Sequence, residues 1–169
     1  FISCCRKISN EIFAGGIGFT SQPPNVADLF YNNVAQWGPS TISQGRTYLA
    51  GAGAGNKIAF AGGANDWILS VYDRVDIYST ATNNWLATAT LSNPRSHLAG
   101  ASSGTKLVFA GGQHGFAGTI SDVADIYDVV TGVWTTGQLS VARYSLCAAA
   151  SGDKIVFAGG SVAGGVPTN

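Results

Sequence analysis

A double glycine returns about every 48 residues, at Gly15-Gly16, Gly62-Gly63, Gly111-Gly112 and Gly159-Gly160. A long fixed period constrains a chain more than local propensity does. Every copy must form one supersecondary unit, and each unit must bury its apolar face against its neighbours. The period also sorts the residues. Those that recur serve the unit, and those that differ between copies are where a specific function can sit.

The copies align on more than glycine. A short apolar run leads into each pair: Ile12-Phe13-Ala14, Ile58-Ala59-Phe60-Ala61, Leu107-Val108-Phe109-Ala110 and Ile155-Val156-Phe157-Ala158. A loop of variable sequence follows, then Ala27-Asp28-Leu29-Phe30, Val75-Asp76-Ile77-Tyr78 or Ala124-Asp125-Ile126-Tyr127. Trp37, Trp85 and Trp134 each stand seven residues after that aromatic. Arg46, Arg95 and Arg143 come nine or ten residues later, and sixteen residues after each arginine the double glycine begins again.

This pattern predicts four short strands per copy. Strand a starts at the arginine, b ends at the double glycine, c holds the Asp-x-Phe/Tyr, and d holds the tryptophan. Strands b and c are rich in β-branched and aromatic residues, with turn residues between them. Gly55-Asn56, Gly104-Thr105 and Gly152-Asp153 suit tight a–b hairpins. Asn83-Asn84 and Thr131-Gly132 tolerate the positive φ of a c–d turn. No segment shows a sustained helical period. Strand a is built of small residues, as in Leu49-Ala50-Gly51-Ala52-Gly53 and Leu98-Ala99-Gly100-Ala101-Ser102. Innermost strands crowded round a propeller axis need such residues.

The double glycine after a strand, the aromatic of strand c, the tryptophan of strand d and the arginine of strand a resemble the kelch repeat, over nearly the whole chain. The first copy departs from the pattern, with Phe30 for tyrosine and Asn32-Asn33-Val34-Ala35 at the c–d turn. The resemblance implies an all-β fold, a kelch-type β-propeller with about three and a third four-stranded blades, a partial propeller. Blade 1 takes residues 1–45 with strand a incomplete, blade 2 takes 46–94, blade 3 takes 95–142, and 143–169 hold strands a and b of blade 4, all in one domain. Closed kelch propellers have six or seven blades, about 300 residues at about 50 per blade. Phe1 to Cys5 aligns with Ser145 to Ala149, inside strand a, so the expectation is part of a longer chain. The alternative is that two copies close one ring as a homodimer.

Net charge is zero and 11% of residues are charged, which argues against a nucleic-acid footprint. No apolar run is long enough to span a membrane. Polar content is mostly Ser, Thr, Asn and Gly with a single Glu, a mild lean toward an extracellular or cell-surface protein. Cys147 aligns with Ala50 and Ala99 and is expected to be a small buried residue. Cys4 and Cys5 are adjacent, and the three cysteines have no metal-type spacing.

Arg46, Arg95 and Arg143 with Asp28, Asp76 and Asp125 could be paired charges in a catalytic groove. A charge repeated once per blade is better read as structural. Phe30, Tyr78, Tyr127 and the three tryptophans are expected to pack between blades. Gly51 to Lys57 superficially suits a phosphate loop, but it aligns with a strand and hairpin turn and no helix follows. Some kelch propellers are similar to copper radical oxidases, which need two histidines, two tyrosines and a cysteine. Only His97 and His114 are present, and His97 aligns with strand residues. No cofactor or metal is expected.

Strand alternation opens the b–c and d–a loops on one face. The b–c loops differ most between copies and offer Phe19, Asn65, Asp66, Trp67, Tyr72, Asp73, Arg74, His114 and Phe116. The d–a loops add Asn93 and Pro94, with Arg95, Arg143 and Tyr144 nearby. The resemblance implies a non-enzymatic module that binds a protein, peptide or glycan through this face, with Trp67 as anchor. One alternative is part of an oxidase or sugar-acting enzyme whose catalytic residues lie in other blades. The other is a self-assembling half-propeller.

Overall fold

The computed structural model describes residues 3–6, 10–14, 23–65, 70–115 and 118–163. They contain strands and turns, and no helix. The first sheet orders β1 (Ser3–Arg6), β2 (Asn10–Ala14), β3 (Val26–Tyr31) and β4 (Gln36–Thr41). The second has β5 (Ala50–Ala54) and β6 (Lys57–Ala61). A small ribbon of β7 (Ala64–Asn65) and β8 (Ser70–Val71) stands apart from it in the b–c loop. The second sheet continues with β9 (Arg74–Ser79), against which β10 (Asn84–Trp85) and β11 (Ala89–Thr90) both pair. The third sheet orders β12 (Ala99–Ser103), β13 (Lys106–Ala110), β14 (Val123–Asp128) and β15 (Trp134–Gln138), and β16 (Cys147–Ser151) pairs with β17 (Lys154–Ala158).

All pairings are antiparallel, and the register repeats. Phe13 faces Asp28, Phe60 faces Asp76, and Phe109 faces Asp125. The first strands of successive sheets lie side by side: β1 against β5, β5 against β12, β12 against β16. This is the inner ring of a propeller. It explains the small residues there, because a Cβ on Gly100 would stand 2.6 Å from the Gly51 carbonyl oxygen.

The expected strand a starts at the arginine, but the observed strands begin four residues later, at Ala50, Ala99 and Cys147. The intervening link is shaped by other contacts. Thr47, Ser96 and Tyr144 bridge to Ala64, Gln113 and Ser161, just past each double glycine. The next residue is left-handed in every copy, with φ of 54° at Tyr48, 57° at His97 and 53° at Ser145. His97 is therefore a link residue and not the expected strand residue. These bends join the blades. His97 N donates to Tyr48 O at 3.0 Å, and Ser145 N to His97 O at 2.8 Å.

The core lies between blades. Ala14, Ala27, Leu29 and Ile42 of blade 1 meet Leu49, Ile58, Phe60 and Tyr78 of blade 2. Ala50, Ala52, Val75, Ile77 and Leu91 of blade 2 meet Leu98, Leu107, Phe109 and Tyr127 of blade 3. Truncating a buried phenylalanine such as Phe60 or Phe109 costs roughly 3–5 kcal/mol, so these seams dominate stability. Cys147 is exposed, not buried as expected. It lies on the strand face that Ala50 buries against blade 3, and no described strand covers that face after β17.

Candidate functional site

Where the arginines go decides what the loop face can offer. Arg46 donates from Nε to Gly62 O at 2.7 Å, from Nη1 to Gln44 O at 3.0 Å and from Nη2 to Phe60 O at 3.1 Å, and pairs with Asp76 at 2.6 Å. Arg95 repeats this with Gly111 O, Asn93 O, Phe109 O and Asp125, again 2.6 Å from the carboxylate. Both arginines are 0% exposed. Burial lowers the pKa of Arg46, and the Asp76 carboxylate opposes that shift. Each aspartate also accepts from the d–a link, Asp76 from Ser43 N and Asp125 from Ser92 N. The Arg–Asp pair therefore clamps the loop end of its blade.

This corrects part of the sequence reading. Arg95 is not available to a ligand, because its donors are spent on buried acceptors. Asn65 is 3% exposed, closed in by the β7–β8 ribbon. Arg143 is half-buried, donating from Nη2 to Phe157 O at 3.1 Å.

The double glycines finish the clamp. Gly63 N donates to Arg95 O at 3.0 Å and Gly112 N to Arg143 O at 2.9 Å, each reaching the following blade. A Cβ on Gly62 or Gly111 would stand 2.5 Å from that same arginine carbonyl oxygen. Gly159 and Gly160 have the same left-handed conformation. Gly15, Gly16, Phe19, Asp66, Trp67 and Phe116 lie outside the described residues.

The aromatic positions divide. Trp85 packs on Tyr78 and donates from Nε1 to Ser40 Oγ of the preceding blade at 2.8 Å. Trp134 packs with Tyr127 against blade 2. Trp37 is 60% exposed, and its ring contacts are Phe13 and Phe30 of its own blade. It was expected between blades, but no described blade precedes it. Burial raises the pKa of Tyr78, with a smaller push from Tyr31.

Tyr72, Arg74 and His114 remain at the loop face, all half-buried. Arg74 reaches Ser43 Oγ at 3.3 Å. His114 Nδ1 lies 2.8 Å from Pro94 O. A carbonyl only accepts, so Nδ1 is the donor in this contact. Between blades 2 and 3 the loop face opens into a cleft of about 460 Å³, lined by Ser92, Asn93, Val123, Thr136, Gly137 and Gln138. Its hydrogen-bonding side chains are all uncharged. Of these only Asn93 stood out in the sequence. Thr136 and Gln138 follow Trp134 by two and four residues, so alternation places them on the strand face that Trp134 turns to blade 2, where they form one wall of the cleft. A second pocket of about 270 Å³ lies where the links enter the inner strands, lined by Tyr48, His97, Ser145 and neighbouring leucines. His97 stacks on Tyr48 there, with ring centroids 3.9 Å apart.

Residues 94–138 match the kelch motif. These residues hold the buried Arg95, the double glycine, Asp125, Tyr127 and Trp134. The repeat is a kelch repeat. Among solved structures, that of YjhT is similar, with a TM-score of 0.77 at 16% sequence identity. The alignment covers 98% of this chain and 63% of YjhT, so the chain spans less than two thirds of that protein. A likeness at this identity carries the fold, a kelch-type β-propeller. The comparison with curated proteins found no match. No helix among the described residues is long and apolar enough to cross a membrane.

Proposed function

We infer that the chain acts as a non-enzymatic binding module, part of a kelch propeller that takes a protein or peptide on its b–c and d–a loop face. The observation that carries this reading is the cleft of Ser92, Asn93, Thr136 and Gln138 between two blades. Its neutral donors and acceptors suit the polar groups of a peptide backbone. They sit on a rigid scaffold, which keeps the ordering cost of binding low. Arg74 and His114 border the same face, and Trp67 of the b–c loop sequence is the candidate aromatic anchor.

The test selects binders to the full chain from a displayed random-peptide library and then measures two variants against the selected peptide. Trp67→Ala and Gln138→Ala should each weaken affinity at least tenfold while leaving the melting temperature unchanged. Unchanged affinity in both would remove recognition from this face. Recovery of binding only on an oligosaccharide array would replace the peptide with a glycan.

A further inference from the structure

Blades 1, 2 and 3 each turn one edge of strand d outward, and the three edges differ. An outer edge faces away from the inner ring and not toward a neighbouring blade, so what adjoins either end of the arc does not bear on it. In an antiparallel ladder alternate residues bond to the partner strand, and the others point their N–H and C=O groups to the open side. Leu139 N donates to Asp122 O at 2.7 Å and Asp128 N to Val133 O at 3.0 Å. Carried through the register Val123↔Gln138 to Tyr127↔Trp134, that phase leaves Trp134, Thr136 and Gln138 facing outward from β15. On β4 the bond from Ile42 N to Asn25 O sets the same phase and leaves Trp37, Pro39 and Thr41 outward.

Two of the edges are blunted. Pro39 holds the middle outward position of β4 and has no N–H to offer. In blade 2, four steps from Trp85 to Ala89 oppose three from Tyr78 to Val75, a bulge that splits the edge into two-residue pieces, β10 and β11. Both devices keep an edge from pairing. β15 has neither. It runs unbroken for five residues, Trp134-Thr135-Thr136-Gly137-Gln138, with no proline and no charge, and no described strand pairs with it beyond β14. Thr136 fills the place that Pro39 holds in blade 1, two residues after the tryptophan. Thr136 and Gln138 also line the neutral cleft between blades 2 and 3. Residues paired opposite them in an added strand send their side chains to the same face.

We propose that an extended peptide segment of a partner protein adds to blade 3 as a further strand, on the outer edge of β15. This rests on the binding-module function and gives it a mode. Main-chain hydrogen bonds to Trp134, Thr136 and Gln138 supply affinity, and alternate side chains entering the cleft beside Ser92 and Asn93 supply selectivity. Those side chains are small or polar and uncharged, because the cleft offers hydroxyl and amide groups and no charge. The occupant is not a second copy of the chain. Edge pairing over five residues alone falls short of the roughly 1,200 Å² that a stable dimer buries.

The experiment uses a peptide selected on the full chain from a displayed random library. A scan of that peptide with single N-methyl groups should alternate: every second methyl lowers affinity at least about tenfold, and the intervening ones leave it unchanged. Thr136→Pro removes an outward N–H that the ladder to β14 does not use. It should lower affinity by a similar factor and leave the melting temperature close to that of wild type, as Pro39 is accommodated in blade 1. A peptide that binds without alternation in the scan, or that Thr136→Pro leaves at full affinity, overturns strand addition while the binding-module function stands. Failure to select any peptide overturns both. A wild-type dimer that Thr136→Pro dissociates makes a second copy the occupant and overturns the proposal. Should Thr136→Pro fail to fold, the methyl scan on the wild-type chain decides.

Discussion

Arg46 and Arg95 are charged residues that the fold places wholly inside, which is tolerable only because each guanidinium nitrogen meets an acceptor. The planar guanidinium spans two carbonyls of one blade, a link carbonyl and a carboxylate, and an ammonium cannot reproduce that fork. Arg95→Leu should therefore cost about 3–5 kcal/mol by stranding Asp125, and Arg95→Lys should recover little of it. Chemical denaturation measures both, and a loss near zero for Arg95→Leu would contradict the clamp. On the opposite, turn face, Asp128 takes a contact from Lys106 Nζ at 2.6 Å and the amides of Val130 and Thr131. These hold its pKa well below the usual carboxylate range, the lysine contributing most. A depressed folded pKa stabilises the fold above the ordinary carboxylate value of about 4, and that contribution fades as pH falls below it. The melting-temperature gap between wild type and Asp128→Asn should thus be largest near neutrality and close in acid. A gap independent of pH would assign Asp128 no such role.

The c–d turns of blades 1 and 2 span four residues and end on a left-handed one, Ala35 at φ 50° and Asn83 at 53°, while that of blade 3 has Gly132 at 74° one residue before its end. Asparagine and glycine suit that position, and alanine does not. Ala35→Gly should stabilise the chain by about 0.5–1 kcal/mol, and a destabilisation would mean that blade 1 turns differently. The double glycines offer a sharper comparison. Gly62→Ala meets both a left-handed backbone and the Arg95 carbonyl, and should cost about 3 kcal/mol. At Gly159 no neighbouring atom lies within 4 Å of the added Cβ, so Gly159→Ala should cost only the backbone term, about 1–2 kcal/mol. Thermal unfolding of the two variants checks the order. Strands b and c were legible in the sequence because their β-branched and aromatic composition is enforced by pairing on both sides. Strand d was less so. Blade 2 breaks it into β10 and β11, since an outermost strand has one neighbour: Leu86 N still donates to Ile77 O at 2.7 Å, and Ala87 and Thr88 lie between the two short strands. The left-handed links at Tyr48, His97 and Ser145 were hidden because no glycine marks them. They are held by carbonyls of adjacent blades, a long-range cause that local sequence does not carry.

At the scale of the whole molecule, recurrence separated scaffold from candidate site, and it did so imperfectly for a physical reason. Arg95 and Arg143 lie near the loop face in sequence, but besides Asn93 O the acceptors that engage Arg95 are Phe109 O, Gly111 O and Asp125, fourteen to thirty residues away. The cleft with Thr136 and Gln138 forms where the outer strands of blade 3 meet the link that leaves blade 2, a juxtaposition that no single repeat encodes. The kelch blades are one cooperative body, coupled through arginine carbonyls on the double glycines and through the backbone chain from Tyr48 to Ser145. Native-state hydrogen exchange on the intact chain tests this most directly. The amides of Gly63, Gly112, His97 and Ser145 cross between blades, and they should open with the same free energy as in-sheet amides of β6 and β13. Rapid exchange at those four positions beneath well-protected sheets would show blades that fold independently and would contradict the account.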